Sequence, residues 1–466
     1  MFLPETKPWK KLGRKIFNFL FFEDGAKNIH IKANIPSMTL MEEAKRGIIT
    51  EEIKEVAEAE KIDEEIIRRR VASGKIIIPR NPIHLPKPLG IGKGLRVKVN
   101  ANIGTSREYV NIDEEVEKAK VAIAAGAHAV MDLSTGGNLD EIRKKLLNAV
   151  NVPFGTVPIY QAAVEAIKKY GAIVDMSEDD MFNAFEKHAK QGVDFAVAHV
   201  GITKESVERL KGQHRIIPMV SRGGSIHMAW IIHNDMENPI YKNFDYLLEI
   251  AREYELTLSL GDGMRSGAIH DSNDRAKLQE LLIIGELVER AREAGIQSMV
   301  EGPGHMPLSH IEANIRIMKT VTKEAPYFVL GPLVTDIAPG YDHIVGGIGG
   351  AIAGYYGADF LCYVTPAEHL CLPSIEDVRE GVIAARIAAH AADIARDIDK
   401  DIDKEFSIAR QNLDWEKMFS MCIDDKKARE YRERRKPMEE LKACSMCGKF
   451  CAIKIVEKYL NDDKGE

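Results

Sequence analysis

Three of the chain's six cysteines stand within eight residues, in Cys444-Ser445-Met446-Cys447-Gly448-Lys449-Phe450-Cys451. Each thiolate can ligate a soft metal. Three of them can hold three irons of a four-iron cluster and leave the fourth open to a substrate or to S-adenosylmethionine. The alternative is a zinc knuckle whose fourth ligand comes from elsewhere in the chain or from a partner. Spacing alone leaves both open. A disulfide framework does not suit a 466-residue chain with six cysteines.

Other chemistry-bearing residues follow short apolar runs. Ser221-Arg222-Gly223-Gly224 combines a hydroxyl, a guanidinium and glycine amides, a pattern for gripping phosphate; a glycine-permitted turn is the packing alternative. Asp262-Gly263-Met264-Arg265 offers a carboxylate and a guanidinium for sugar hydroxyls and phosphate, or else an internal ion pair. His305 and His369 could share a divalent metal completed by waters, although each alone reads as a hydrogen-bonded structural histidine. Glu301, four residues before His305, could act as a base or accept a substrate hydrogen bond. Asn102, Tyr160 and His199 also stand at or just past the ends of such runs.

These positions require elements that gather them. Apolar runs at 95–101, 129–133, 152–159, 195–200, 216–220, 256–260, 297–300, 327–330 and 360–364 alternate with helical spacing, as in 114–125, 141–150 and 275–294. Continuous apolar strands between helices imply a parallel sheet covered by helices, and this repeat predicts a (β/α)8 barrel of class α/β. Nine runs are one more than a barrel needs, so one lies outside the ring. Barrel enzymes build their sites from C-terminal strand ends, so polar groups at seven such ends predict an enzyme rather than a binding module.

The expected organisation is a smaller N-terminal domain over 1–94, the barrel over 95–375, and a helical C-terminal region over 376–466 that ends in the cysteine tail. Thr39 followed by Glu42 predicts a capped helix start, and the proline- and glycine-rich stretch 75–94 predicts an extended connector or short strands at a domain boundary. Helices are expected over 378–399 and, amphipathic, over 406–435. A tail of this length cannot bury a cluster alone and is expected to fold over a barrel mouth, its own or a partner's. Net charge is −7, which gives no electrostatic reason to expect nucleic acid. The basic run 426–442 is interrupted by glutamates and reads as a solvated face. No apolar stretch approaches the ~20 residues of a membrane span. The basic segment 7–15 and apolar segment 16–22 look like a signal peptide, but the run is minimal, contains Asn18 and lacks a cleavage site. A cytoplasmic protein is expected.

The segments NANIGTS, VMDLSTGG, GTVPIYQA, VSRGGS, LSLGDGMR, EGPGHMP, GPLVTDIAPGYDH, YVTPAEHL, AAHAADIA and CSMCGKFC, in this order between Leu95 and Cys451, resemble the ThiC family of phosphomethylpyrimidine synthases. That family comprises non-standard radical S-adenosylmethionine enzymes. The resemblance implies a 4Fe-4S cluster, S-adenosylmethionine cleaved to a 5′-deoxyadenosyl radical, Zn2+, and an external electron donor. It implies a carbon–carbon lyase that rearranges 5-aminoimidazole ribotide to 4-amino-5-hydroxymethyl-2-methylpyrimidine phosphate in thiamine biosynthesis, releasing carbon monoxide and formate. It also implies a homodimer with exchanged cluster tails. Carried over by position, it makes Asn102, Met131, Tyr160, His199, Ser221, Arg222, Gly223, Asp262, Gly263, Met264, Arg265, Glu301 and Phe328 substrate-site residues, with Glu301 catalytic. His305 and His369 match the zinc ligands, and Cys444, Cys447 and Cys451 the cluster ligands. Two departures stand out. The cysteine spacing is C-x2-C-x3-C where the family has C-x2-C-x4-C, and Phe328 stands where the family has a tyrosine. Tyr327 precedes it and should face the other way, so the phenol is expected to be missing from the site. The departures leave a paralogous activity on the same ribotide, 5-hydroxybenzimidazole synthase, as the alternative.

Overall fold

A computed structural model describes residues 38–435 and 442–462, all within the compact unit Ile35–Glu466. The segments 7–15 and 16–22 and the 436–441 part of the basic run lie outside the described residues.

The described chain begins with helices α1 (Leu40–Lys45), α2 (Glu51–Glu60) and α3 (Glu64–Ala72) and an antiparallel pair, β1 (Ile76–Ile77) with β2 (Ile91–Gly92). The expected capping box is present: Thr39 accepts from the Glu42 N–H, and Glu42 accepts from the Thr39 N–H. Leu40, Ile53, Val56, Ile67, Val71, Ile76 and Leu95 form a small core of their own. Long-range bonds fasten this layer to the segment leading into the later strand Ser298–Glu301: the Ile78 N–H donates to Gln297 Oε1 at 2.7 Å, and Thr39 Oγ1 donates to the Gly295 carbonyl at 2.6 Å.

Eight parallel strands then close a barrel in the order β10-β3-β4-β5-β6-β7-β8-β9. They are β3 (Lys98–Ile103), β4 (Ala129–Asp132), β5 (Phe154–Thr156), β6 (Phe195–Ala198), β7 (Thr257–Leu260), β8 (Ser298–Glu301), β9 (Tyr327–Leu330) and β10 (Phe360–Cys362). Nearly every strand residue is buried, as a sheet covered on both faces demands. In the interior Phe328 and Phe360 stack with centroids 4.4 Å apart, and Phe195 meets Phe360 edge-to-face at 6.4 Å.

The surrounding helices are α4 (Ile112–Ala124), α5 (Leu139–Ala149), α6 (Pro158–Tyr170), α7 (Glu178–Gln191), α8 (Lys204–Lys211), α9 (Arg222–Asn234), α10 (Pro239–Lys242), α11 (Phe244–Tyr254), α12 (Arg275–Glu293), α13 (Leu308–Val321), α14 (Asp342–Tyr356) and α15 (Ile375–Ala395). The alanine-rich α15 packs between α14 and α4 and completes the ring.

The surplus ninth run is 216–220. It is not a strand, because β6 pairs directly with β7 and leaves no slot between them. The Ile216 and Ile217 N–H groups donate to the Asp271 carboxylate instead, and Ile216 is 69% exposed. The Ser221-Arg222-Gly223-Gly224 motif therefore opens a helix rather than following a strand. The amphipathic helix expected over 406–435 is also three pieces, α16 (Lys400–Gln411), α17 (Trp415–Met421) and α18 (Asp425–Arg434). Leu413 breaks it at φ +51°, and Asp414 and Asp424 cap the next two starts. The tail ends in α19 (Ala452–Asp462). Among the described residues no helix is long and apolar enough to cross a membrane.

Candidate active site

A cavity of about 250 Å³ opens at the C-terminal ends of the strands. Its wall takes Asn102 from β3, Met131 from β4, Glu301 from β8, Phe328 from β9 and Cys362 from β10, with His199 just past β6. Tyr160 from α6, Arg222 from α9, and Arg265 and Glu368 from loops complete the polar lining. Strand periodicity explains the selection: Phe360 points inward, so Cys362, two residues on, points inward at the mouth.

Two helix starts aim side chains into this space. Pro158 occupies the first turn of α6 and places Tyr160 beside it. Ser221 caps α9, its Oγ accepting the Gly224 N–H at 3.1 Å, so its hydroxyl serves the helix. Arg222 then lies over the Tyr160 ring, 5.1 Å from the centroid. A Cβ on Gly223 would lie 2.1 Å from His199 Cε1, and one on Gly224 would lie 2.5 Å from the Gly263 carbonyl oxygen. Glycine at both positions lets α9 dock directly on His199 and on the segment after β7.

The electrostatics favour a ligand that is anionic at one end. Arg222 and Arg265 supply positive charge. Burial pushes the Glu301 carboxyl up to about 7, against the opposing Arg265 charge and a 3.0 Å hydrogen bond from Ser259 Oγ. It is thus poised to gain or lose a proton near neutrality. Burial holds His199 well below the usual imidazole range, so its ring is neutral, and its Nδ1 has no partner among the described residues. Burial also keeps the Cys362 thiol protonated, with Asn102 Nδ2 donating to its sulfur at 2.9 Å.

Asp262, Gly263 and Met264 do not line the cavity. The Asp262 carboxylate pairs with the buried Lys277 ammonium. Glu280 accepts the N–H groups of Gly263 at 2.7 Å and Met264 at 3.0 Å. This buried cluster sets the backbone from which Arg265 reaches the cavity. A second cavity of about 460 Å³ adjoins the first and shares Asn102, Leu133, Arg222 and Glu368 with it. Lys118, Thr365 and His369 are among its further lining residues.

His305 and His369 meet at this same end of the barrel, their Nε2 atoms 3.3 Å apart. Asp336 accepts from His305 Nδ1 at 2.7 Å, and Asp342 accepts from His369 Nδ1 at 2.9 Å. A carboxylate only accepts, so both Nδ1 atoms carry a proton, and in the neutral rings both Nε2 atoms present lone pairs. Two facing lone pairs repel unless a cation lies between them. Ligands about 2.0–2.1 Å from one tetrahedral zinc stand about 3.3–3.4 Å apart. The pair and its carboxylates therefore fit a divalent metal.

The three tail cysteines line neither cavity. The tail is tied to α17, where Trp415 Nε1 donates to the Lys442 carbonyl at 2.8 Å. The backbone N–H of Cys447 holds the Cys444 thiol below its usual range, favouring thiolate. Cys447 is exposed and Cys451 is buried. The donor set suits an iron–sulfur cluster, although among the described residues no group of three or more His, Cys, Asp or Glu side chains stands ready-made around a metal.

Among the polar residues that line the first cavity, sequence reasoning missed Cys362 and Glu368. Cys362 reads in the sequence as an inert packing thiol; the alternation from Phe360 marks it as inward-facing. Glu368, next to His369, lines both cavities, and burial raises its carboxyl pKa.

The molecule is a (β/α)8 barrel whose C-terminal end holds one cavity with two arginines in its wall and, beside it, a pair of histidines each held by a carboxylate. The family model for the radical SAM ThiC family matches residues 39–458, and the chain belongs to that family. It is 59% identical over 423 residues to the phosphomethylpyrimidine synthase of Methanocaldococcus jannaschii, covering 90% of this chain and 99% of the relative. The protein of that name from Pyrococcus furiosus is 58% identical, covering 91% and 99%. Phosphomethylpyrimidine synthase 1 of Methanosarcina mazei is 56% identical, covering 92% and 100%. Among solved structures, a dihydropteroate synthase from Coxiella burnetii in complex with pteroic acid gives a TM-score of 0.37 at 11% identity, covering 66% of this chain and 96% of that one.

Proposed function

We propose that the chain is a phosphomethylpyrimidine synthase that converts 5-aminoimidazole ribotide to 4-amino-5-hydroxymethyl-2-methylpyrimidine phosphate in thiamine biosynthesis, with carbon monoxide and formate as by-products. The observation that carries this is a single cavity holding Asn102, Met131, Tyr160, His199, Arg222, Arg265, Glu301 and Phe328. Membership of the radical SAM ThiC family supports it.

Arg222 and Arg265 would grip the ribotide phosphate. The neutral His199 and Asn102 offer hydrogen bonds to the sugar or base, and Tyr160 keeps its phenol protonated through burial. Glu301 would hold or release a proton at its carboxyl near neutral pH. His305 and His369 would hold zinc through Nε2, and Cys444, Cys447 and Cys451 a 4Fe-4S cluster. The cluster and S-adenosylmethionine, when bound, supply the one-electron chemistry of the reaction. The second cavity beside Arg222 and Glu368 is the candidate seat for S-adenosylmethionine. On this reading the enzyme is a cytoplasmic homodimer with exchanged tails and takes its electron from an external donor.

Phe328 favours keeping one second reading. It puts a phenyl ring in the cavity where the family resemblance calls for a phenol, and a changed pocket could release 5-hydroxybenzimidazole from the same ribotide. Calorimetric titration of anaerobically reconstituted protein with 5-aminoimidazole ribotide tests the shared part of both readings. Saturable binding that Arg222→Ala and Arg265→Ala each weaken at least tenfold supports it. Binding unchanged in both variants contradicts it.

A further inference from the structure

One carboxylate joins three loops at the barrel mouth. Asp336 lies in the segment after β9, and its Oδ1 accepts from His305 Nδ1, in the segment after β8, at 2.7 Å. Its Oδ2 accepts the Ile269 N–H, in the segment after β7, at 3.0 Å. Ile269 is four residues past Arg265, whose guanidinium faces the ligand cavity. Arg265, Ser266 and Asp271 line a cleft of only about 10 Å³ together with Pro303, His305 and Met306, and Ser266 Oγ donates to the His305 carbonyl at 3.5 Å. The companion carboxylate is wired differently. Asp342 accepts from His369 Nδ1 and from the Gly340 N–H at 3.3 Å, two residues before it in the chain. It does not reach the Arg265 segment.

We propose that Asp336 is a positioning residue that couples metal occupancy at His305 and His369 to the order of the Arg265 loop. The proposal rests on the metal reading of the two histidines. A cation at Nε2 acidifies the ring, so the Nδ1–H to Asp336 bond strengthens. Asp336 is then fixed, and its second oxygen fixes Ile269. Without metal, only its bond to Asp336 orients the His305 ring, so Asp336 is held less firmly and the stretch 264–272 loosens. Metal binding would thereby prepare Arg265 for an anionic ligand from a position that never touches the ligand.

The test uses Co2+ as a spectroscopic probe, with hydrogen exchange over 264–272 measured without Co2+ and at saturation. Wild type should bind Co2+ with visible ligand-field absorption and gain at least tenfold protection across the stretch. Asp336→Asn puts an NH2 donor in place of one of the two oxygens, so it cannot accept at both positions. It should bind Co2+ about 10–100-fold more weakly and gain little protection even when saturated. Asp336→Glu keeps two acceptors and should recover part of it. Asp342→Asn should weaken Co2+ binding comparably yet keep full protection at saturation. Wild-type exchange over 264–272 that ignores Co2+, or wild-type protection in saturated Asp336→Asn, overturns the coupling while leaving the metal site intact. Equal Co2+ binding by wild type and His305→Ala overturns the metal reading and the coupling with it.

Discussion

A methyl group on Gly223 would stand 2.1 Å from Cε1 of the His199 ring. The helix that presents Arg222 and the histidine that follows β6 are thus seated against each other with no room to spare. Gly223→Ala must push either the ring or the start of α9 aside. Overpacking of this kind costs about 1–3 kcal/mol of stability. Displacing His199 or Arg222 by about 1 Å should lower kcat/KM about 100-fold. Steady-state kinetics and thermal melts check this, and a Gly223→Ala enzyme with unchanged ligand affinity would contradict the packing argument.

Glu301 ties stability to pH. Burial raises its folded-state carboxyl to about 7, from 4.5. The folded state therefore binds the proton more tightly, and this contribution is fully present below about 4.5 and lost as pH rises through about 7. Glu301→Gln removes the ionisation. The variant should gain stability relative to wild type between those pH values, to a plateau of about 3 kcal/mol in the ligand-free protein. Urea unfolding at several pH values checks it; a difference independent of pH would refute the assignment. The same variant should lose turnover.

Tyr327 and Phe328 make opposite predictions although they are adjacent. Tyr327 is buried on the helix side of the barrel, where its hydroxyl donates to Asn314 Oδ1 at 2.8 Å. Tyr327→Phe should cost about 1 kcal/mol of stability and leave catalysis unchanged. Phe328→Tyr adds a hydroxyl at the cavity wall and should change ligand affinity or product. Parallel melts and product analysis separate the two, and a catalytic defect in Tyr327→Phe would reverse their roles.

Cys447→Ala removes one of three tail thiolates. Iron bound after reconstitution should fall sharply and 5′-deoxyadenosine formation should vanish. A zinc-dependent aldolase or hydrolase using only His305 and His369 would keep its activity, which makes the variant decisive between the two chemistries. Iron analysis and mass spectrometry read the outcome.

The barrel was legible because buried parallel strands write continuous apolar runs, and eight of the nine runs overlap a barrel strand. The ninth, 216–220, looks alike in sequence, but its backbone is claimed by Asp271, 55 and 54 residues from the two N–H groups it holds. No local pattern reports that. The cavity-lining positions were legible for a similar reason, since strand ends converge in any such barrel. What was not legible is which groups support them. Lys277 and Glu280 reach the segment after β7 from α12, and Asp336 reaches His305 from a loop and Asp342 reaches His369 from the start of α14, 31 and 27 residues away in the chain. The breaks within 406–435 were also hidden, because Asp414 and Asp424 cap new helices inside a run whose apolar spacing is continuous.

The most direct test is an anaerobic assay of protein reconstituted with iron and sulfide, supplied with 5-aminoimidazole ribotide, S-adenosylmethionine and a reductant, with products identified by mass spectrometry. The account predicts 4-amino-5-hydroxymethyl-2-methylpyrimidine phosphate together with 5′-deoxyadenosine, which would show that the C-x2-C-x3-C spacing supports a working cluster. Hydroxybenzimidazole in its place would move the chain to the paralogous activity and point to Phe328. A fully formed cluster that yields neither product nor 5′-deoxyadenosine would contradict the account.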